Sequence, residues 1–206
     1  MTNITVLEEI LSKALNEDTL KTLFLDARTH NGWADTPVED SILHDMWNLV
    51  RMAPTSANCA PARIVFAKSA AAKEKLKSCL MEGNVNKTMA APVTAIIGHD
   101  MEFYEKLPQL FPHADARSWF VGNDELIETT AFRNGTLQGA YLMMAARSLG
   151  LDCGPMSGFD NTKVDELFFG GTKVKSNFLC NIGYGTDDDL FPRSPRFEFD
   201  EVCRIA

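Results

Sequence analysis

The stretch LQGAYLMMAARSLGLDCGPMSGFD, residues 137–160, is the part of the sequence that decides the fold. Its first half, 137–149, is apolar on nearly every face and ends a long helical pattern that begins at Asn123, whose side chain can cap the helix. Such a helix is central in a domain or sandwiched at a subunit interface. Gly150 is a natural helix stop, and the loop 150–160 leads to a short helix that Asp160 caps.

Segments on either side of this stretch supply strands and further helices. Residues 62–67 (ARIVFA), 92–99 (PVTAIIGH) and 175–182 are short and rich in β-formers, so they predict strands. Capping residues and apolar spacing predict helices over 18–27 (with Asp18 as cap), 37–52, 70–80 (with Ser69 as cap), 123–149 and 160–168. The second of these begins with Thr36 as cap, Pro37 in the first turn and Glu39 completing a capping box. Helices with few strands in mixed order predict an α+β fold.

Composition narrows the class of protein. The chain has 206 residues, of which 45% are hydrophobic and 23% charged, as in one soluble globular domain. Twenty Lys and Arg against 28 Asp and Glu give a net charge of -8 without a dense basic run, so no nucleic-acid partner is expected. No apolar run is long enough to span a membrane, and residues 1–16 lack a signal-peptide layout. We therefore expect a cytoplasmic protein with no membrane partner.

Several common sites are missing from the sequence. The five cysteines are widely spaced without a C-x-x-C pair, which argues against a disulfide framework or a thiolate zinc site. Neither a dinucleotide-binding glycine motif nor a P-loop is present, and no H-E-x-x-H occurs. The four histidines are scattered, as surface or core histidines are. The sequence therefore predicts no metal site.

Four polar segments remain that could carry chemistry. In 28–33 (RTHNGW) a cation stands beside hydroxyl and amide groups, which suits a phosphate or a polyol chain. In 53–61 (APTSANCAP) small polar residues between prolines could read a flat ring. The glycines of 150–160 permit close backbone approach, and 193–196 (RSPR) carries two cations. The plainer alternatives are a polar loop, a rigid turn, a connection and a solvated tail.

Taken in order, these segments resemble the nitroreductase family of FMN-dependent oxidoreductases, from about residue 20 to residue 196. PTSAN before a strand, LGLD and PMSGFD after the long helix, IGYG and a basic tail carry the resemblance. The branch it most resembles is the malonic semialdehyde reductases of pyrimidine degradation, through DARTHNGW and LFPHADARSWF. The resemblance implies a central mixed, mostly antiparallel sheet flanked by helices. It also implies an intertwined homodimer of single-domain chains (1–206), with 17–26 and 186–206 embracing the partner or lying peripherally.

The resemblance also implies which residues bind FMN. The phosphate and ribityl chain would contact Arg28 with Thr29 or His30, then Asn31, and Arg193 with Arg196. The flavin ring would meet Pro54, Thr55, Ser56 and Asn58 of the other subunit. Its pyrimidine edge would contact Asn84 and Lys87, and the ring would lie along Pro155, Met156, Ser157 and Gly158. The family pattern R-[RK]-S-x-[RK] has a second cation where this chain has Asn31 or Gly32, so two registers of this loop are open.

The implied activity is a ping-pong transfer of hydride from NADH or NADPH through flavin N5 to a small-molecule substrate. In the semialdehyde branch, malonic semialdehyde would become 3-hydroxypropanoate. Arg117 or His113, in a lid over residues 110–120, could hold a substrate carboxylate or donate a proton. Two alternatives stay open: a broad nitro or quinone reductase, and a flavin-binding module without fast turnover.

Overall fold

A four-stranded sheet forms the middle of the molecule. The computed structural model describes residues 14–206, so the prediction of no signal peptide in 1–16 falls almost wholly outside the described residues. The strands are β1 (Ala62–Ala67), β2 (Val93–Asp100), β3 (Asp152–Met156) and β4 (Val174–Gly183). Their order is β1-β2-β4-β3, and all three pairings are antiparallel. An isolated parallel pair between Thr29 and Cys153 extends the pattern beyond β3. The expected α+β architecture with a mostly antiparallel sheet is confirmed.

Helices flank the sheet and join its strands. They are α1 (Glu17–Leu20, continued by a π-turn Lys21–Leu25), α2 (Asp40–Val50), α3 (Ala70–Lys77), α4 (Glu82–Ala90), α5 (Leu107–Leu110), α6 (Asp124–Ser148), α7 (Asn161–Phe169) and α8 (Phe199–Val202). Three predicted caps are confirmed by hydrogen bonds to backbone N–H groups, those of Ser69, Asn123 and Asp160. No helix of the described residues has the length and apolar character that crossing a membrane requires.

Two predicted helix starts are wrong. Thr36 makes no capping hydrogen bond, because residues 36–39 lie outside the helix, with Val38 wholly buried in the core and Glu39 in extended backbone. Helix α2 begins at Asp40. The first helix is capped by Asn16, whose side chain accepts from Thr19 N at 2.8 Å, so Asp18 lies inside the helix.

The predicted loop 150–160 contains a strand, and this is a further correction. Residues 152–156 form β3, paired with β4 in the register Cys153↔Ile182. The run contains Gly154 and Pro155, which disfavour strand interiors, but β3 is an edge strand of the sheet and tolerates both. A Cβ on Gly154 would lie 2.6 Å from the His30 carbonyl, so the glycine permits the close approach of the 28–33 loop.

Helix α6 lies across one face of the sheet. Its residues Leu142 and Ala146 join the core that includes Ile97 and Ile182, and a second core covers the other face around Leu179. One side of α6 is exposed in the single chain, with Phe132, Leu137 and Tyr141 on it. Of the two alternatives for 137–149, burial at the centre of the domain therefore holds for the sheet side only, and the subunit interface stays a prediction. All five cysteines are free thiols, as expected.

Candidate functional site

Four arginines line one polar cavity of about 360 Å³, although the chain is acidic overall. Three were predicted from the sequence, Arg28, Arg193 and Arg196, and the structure adds Arg147 from the last turn of α6. Thr29 and Asn31 also line the cavity. A cluster of guanidinium groups beside hydroxyl and amide groups is suited to a phosphate or another polyvalent anion.

The arginines are held by main-chain carbonyls, which leave their charge uncompensated. Arg193 donates to Leu25 O at 2.7 Å, and Arg147 donates to Leu23 O at 2.9 Å. Arg28 donates to Phe191 O. No carboxylate of residues 14–206 forms an ion pair with any of the four. The cavity therefore offers a strong positive potential to an incoming anion.

A second cavity, of about 520 Å³, adjoins the first and contains Lys87. Asn31 and Phe191 line both cavities, so the two cavities are direct neighbours. The Asn31 amide also donates to Asp189 O at 3.3 Å, which fastens the 28–33 loop to the tail. A ligand with an anion at one end and a polar chain beyond it could extend from the arginines towards Lys87.

His30 points away from both cavities, unlike its neighbours in the loop. Its ring is buried, with Nδ1 3.1 Å from Thr186 O and Nε2 3.4 Å from a carboxylate oxygen of Asp152. The other Asp152 oxygen accepts from Gly185 N at 2.9 Å. His30 thus joins the 28–33 loop to the ends of β3 and β4, whereas Thr29 and Asn31 are the loop residues that line the cavities.

Helix α4 is fastened to the segment 155–158 by side-chain hydrogen bonds. Asn84 Nδ2 donates to Gly158 O at 2.8 Å, and Thr88 Oγ1 lies 3.4 Å from Met156 Sδ. A Cβ on Gly158 would collide with Asn84 Nδ2, so a larger residue here would displace the Asn84 amide from this contact. Lys87 follows Asn84 by about one helical turn, and the structure thereby brings the two predicted ring-binding segments together.

The predicted ring-binding residues Pro54, Thr55, Ser56 and Asn58 line neither of these two cavities in the same chain. Their loop is held by α6, where buried Asn134 accepts from Ser56 N at 2.9 Å. Non-glycine residues in this loop have left-handed backbone, with φ of 48° at Ala57, 51° at Asn58 and 37° at Ala60. Backbone strain of this kind persists where the surroundings over-determine it, and it clusters at functional sites.

The lid candidates also lie outside these two cavities. Arg117 makes two hydrogen bonds of 2.7 Å to the carboxylate of Glu105, and these hold the pKa of Glu105 below its usual value. His113 packs edge-on against Phe111. Asn58 donates to Leu110 O at 2.8 Å, which joins the strained loop to the start of the segment 110–120. The loop and this segment are therefore in direct contact.

Sequence reasoning missed Arg147 and the buried Lys73 of α3. Arg147 sits in the last turn of a helix, where any cation is favoured by the dipole, so its position alone carried no signal. Lys73 lies among alanines and lysines on a short helix and reads as a surface residue. The signal that could have found Arg147 is its proximity in space to Arg28, which only the fold provides.

Comparisons with known proteins agree on one family. Residues 26–185 match the family model described as "Nitroreductase family". A Burkholderia lata protein is 65% identical over 93% of this chain and 98% of its own length, and a Polynucleobacter asymbioticus protein is 62% identical over 95% and 100%. Both are named "Putative NADH dehydrogenase/NAD(P)H nitroreductase". An Exiguobacterium sibiricum "putative nitroreductase" solved in complex with FMN has a TM-score of 0.82 at 17% identity, over 94% of this chain and 99% of its own.

Proposed function

The chain belongs to the nitroreductase family, and on that basis we propose that it is an FMN-dependent NAD(P)H oxidoreductase acting as a homodimer. The observation that carries the proposal is the cavity with four arginines and no carboxylate partner for them among residues 14–206. A monoester phosphate carries close to two negative charges at neutral pH and fits such a cluster. When bound, FMN supplies the hydride acceptor and donor that amino-acid side chains lack.

The residues that line the two cavities are chemically suited to the parts of this cofactor that a single chain would contact. The arginines would hold the phosphate. Thr29 of the arginine cavity and Asn31, which lines both cavities, would contact the ribityl chain. Lys87 in the second cavity would stand at the pyrimidine edge, where its ammonium offsets negative charge on the reduced ring. Asn84 and Gly158, already joined by a hydrogen bond, would border the ring.

The homodimer is supported by two features of the single chain. The strained loop with Thr55 and Ser56 lines neither the arginine cavity nor the Lys87 cavity, so a second subunit would bring it to the flavin. The exposed side of α6 carries Phe132, Leu137 and Tyr141 beside a groove of about 610 Å³. Exposed apolar groups that cluster on one helix face mark an interaction surface.

For the substrate, we propose malonic semialdehyde, reduced to 3-hydroxypropanoate, on the strength of the motif resemblance. The cation available to its carboxylate in the lid is Arg117, and the substrate would compete for it with Glu105. An exposed ion pair contributes little free energy, so a substrate carboxylate could displace Glu105 from Arg117.

A nitro compound or quinone is the second candidate, and the lid itself favours it. Arg117 is already paired with Glu105. The ring centroids of Phe111 and Trp119 are 6.2 Å apart, and the Trp119 side chain is half exposed. Exposed aromatic rings offer a flat substrate a stacking surface without the need for a free cation. The relatives named as nitroreductases point the same way.

The test is to purify the full chain and record its visible absorbance without oxygen, before and after adding NADH and then NADPH. A flavin spectrum that bleaches supports a flavin reductase, and the oxidant that restores the colour fastest identifies the substrate class. Arg28→Gln should weaken FMN binding, whereas Arg51→Gln, at an exposed position outside the cavity, should not. A protein that stays colourless with added FMN would overturn the proposal.

A further inference from the structure

Lys73 of α3 is a buried cation that none of the roles above explains. It is 5% exposed and is the one Lys, Arg, Asp or Glu side chain that the structure buries within residues 14–206. Burying an ammonium group is costly unless hydrogen bonds or an opposite charge compensate it. No carboxylate of the described residues pairs with Lys73. Its retention in the interior therefore requires a reason.

The ammonium of Lys73 is directed at the last turn of α4. It donates to Thr88 O and, at 3.0 Å, to Thr94 Oγ1. Carbonyls in the last turn of a helix have no partner within the helix and form its negative end. Lys73 thus places a full positive charge against the end of the helix that carries Asn84 and Lys87.

A chain of buried hydrogen bonds carries this contact to the backbone of Lys87. Thr94 Oγ1 donates to Asn181 Oδ1 at 2.8 Å. The Asn181 amide in turn donates to Lys87 O at 3.3 Å. Two adjacent carbonyls, those of Lys87 and Thr88, are therefore held by donors that approach from the sheet side and from α3. Lys87 O also accepts from Ala91 N at 3.2 Å, so the backbone of Lys87 is held from within the helix as well as from the sheet. Lys87 itself lines the second cavity, so a shift of this last turn would move a residue of the cavity wall.

We propose that Lys73 is a positioning residue that fixes the last turn of α4 and thereby aims the Lys87 ammonium at the pyrimidine edge of the bound flavin. The inference rests on the proposed FMN site. Burial lowers the pKa of Lys73 to about 8, and no charged neighbour contributes to the shift. Hydrogen bonds to α4 and to the sheet, rather than an ion pair, therefore hold the Lys73 ammonium in place.

The experiment compares Lys73→Met with Lys77→Met, an exposed lysine of the same helix, in the full chain. The readouts are the dissociation constant of FMN, the midpoint potential of the bound flavin, and the melting temperature. Lys73→Met should weaken FMN binding about tenfold, the scale of one charge-assisted hydrogen bond, and should lower the midpoint potential. Lys77→Met should match the wild type in both flavin readouts.

A double-variant cycle separates positioning from general stability. If Lys73 acts through Lys87, then Lys73→Met should add nothing to the loss of potential that Lys87→Met causes. Additive losses, or a Lys73→Met protein with unchanged FMN affinity and potential, would overturn the inference. Lys73→Gln, which keeps a donor without the charge, replaces Lys73→Met if that variant does not fold. A wild-type chain that binds no FMN would instead overturn the proposed function itself.

Discussion

Replacing Ala57 by glycine should leave the protein almost as stable as the wild type, although the same change elsewhere weakens it. Ala57 has a φ of 48°, in the left-handed region that L-residues with a Cβ adopt at a cost. Glycine removes that strain. The matched control is Ala71→Gly, at an exposed position inside α3 with ordinary helical backbone.

The expected magnitudes follow from the backbone at each position. Relief of left-handed strain at Ala57 is worth about 1–2 kcal/mol. The extra backbone entropy of glycine in the unfolded chain offsets roughly 0.5–1 kcal/mol of it. Loss of a half-buried methyl group offsets about 0.4 kcal/mol more. Ala57→Gly should therefore change the free energy of unfolding by between about -0.4 and +1.1 kcal/mol. Ala71→Gly, by contrast, should lower it by about 1 kcal/mol.

The assay is urea unfolding of the full chain followed by circular dichroism, with thermal melts as a second measure. For a chain of this length, 1 kcal/mol corresponds to about 2–4 °C in melting temperature, so the two variants should be resolved. Equal destabilisation by both substitutions would refute the reasoning, because it would mean that the loop stores no left-handed strain.

Three further predictions follow from the site. The free energy of unfolding should rise between about pH 8 and about pH 10, and by up to about 3 kcal/mol more in the wild type than in Lys73→Met. The reason is that Lys73, whose pKa is lowered in the folded protein, binds fewer protons there than in the unfolded chain. Urea titrations across this pH range measure the difference. Gly158→Ala should weaken FMN binding, because the added Cβ would displace the Asn84 amide. Quenching of flavin fluorescence measures the FMN affinity, and an unchanged affinity would contradict the proposal that this segment borders the ring. Glu105→Gln should lower, and Arg117→Gln raise, the KM for a carboxylated aldehyde while leaving that for a nitroarene alone; parallel shifts for both substrates would exclude a carboxylate role for this arginine.

The strands and the central helix could be predicted because their signals are local. The run 62–67 is a strand with the predicted bounds, and Asn123 caps α6 as its side chain suggested. Strand β3 could not be predicted, because Gly154 and Pro155 disfavour a strand and only pairing with β4 stabilises one there. The same holds for the start of α2, where burial of Val38 outweighs a capping motif.

The candidate site divides in the same way. Arg28 and Arg193 could be proposed from sequence order and resemblance, and the fold brings them into one cavity. Arg147 and Lys73 could not, because each depends on a neighbour distant in sequence: Leu23 for Arg147, and the end of α4 for Lys73. The direction of the His30 ring could not be predicted either, because side chains in an irregular loop do not alternate between two faces as they do in a strand.

The arginine cavity is assembled from opposite ends of the polypeptide, and this links ligand binding to chain closure. Arg28 lies near the start of the described chain and Arg193 near its end. Each donates a hydrogen bond to the segment that holds the other: Arg28 to Phe191 O, and Arg193 to Leu25 O. A bound phosphate would contact both segments at once, so the ligand would stabilise their association in addition to its chemical role. Stability against unfolding would then rise with FMN concentration, and the tail beyond Gly185 would resist proteases in the loaded protein and yield to them in the empty one.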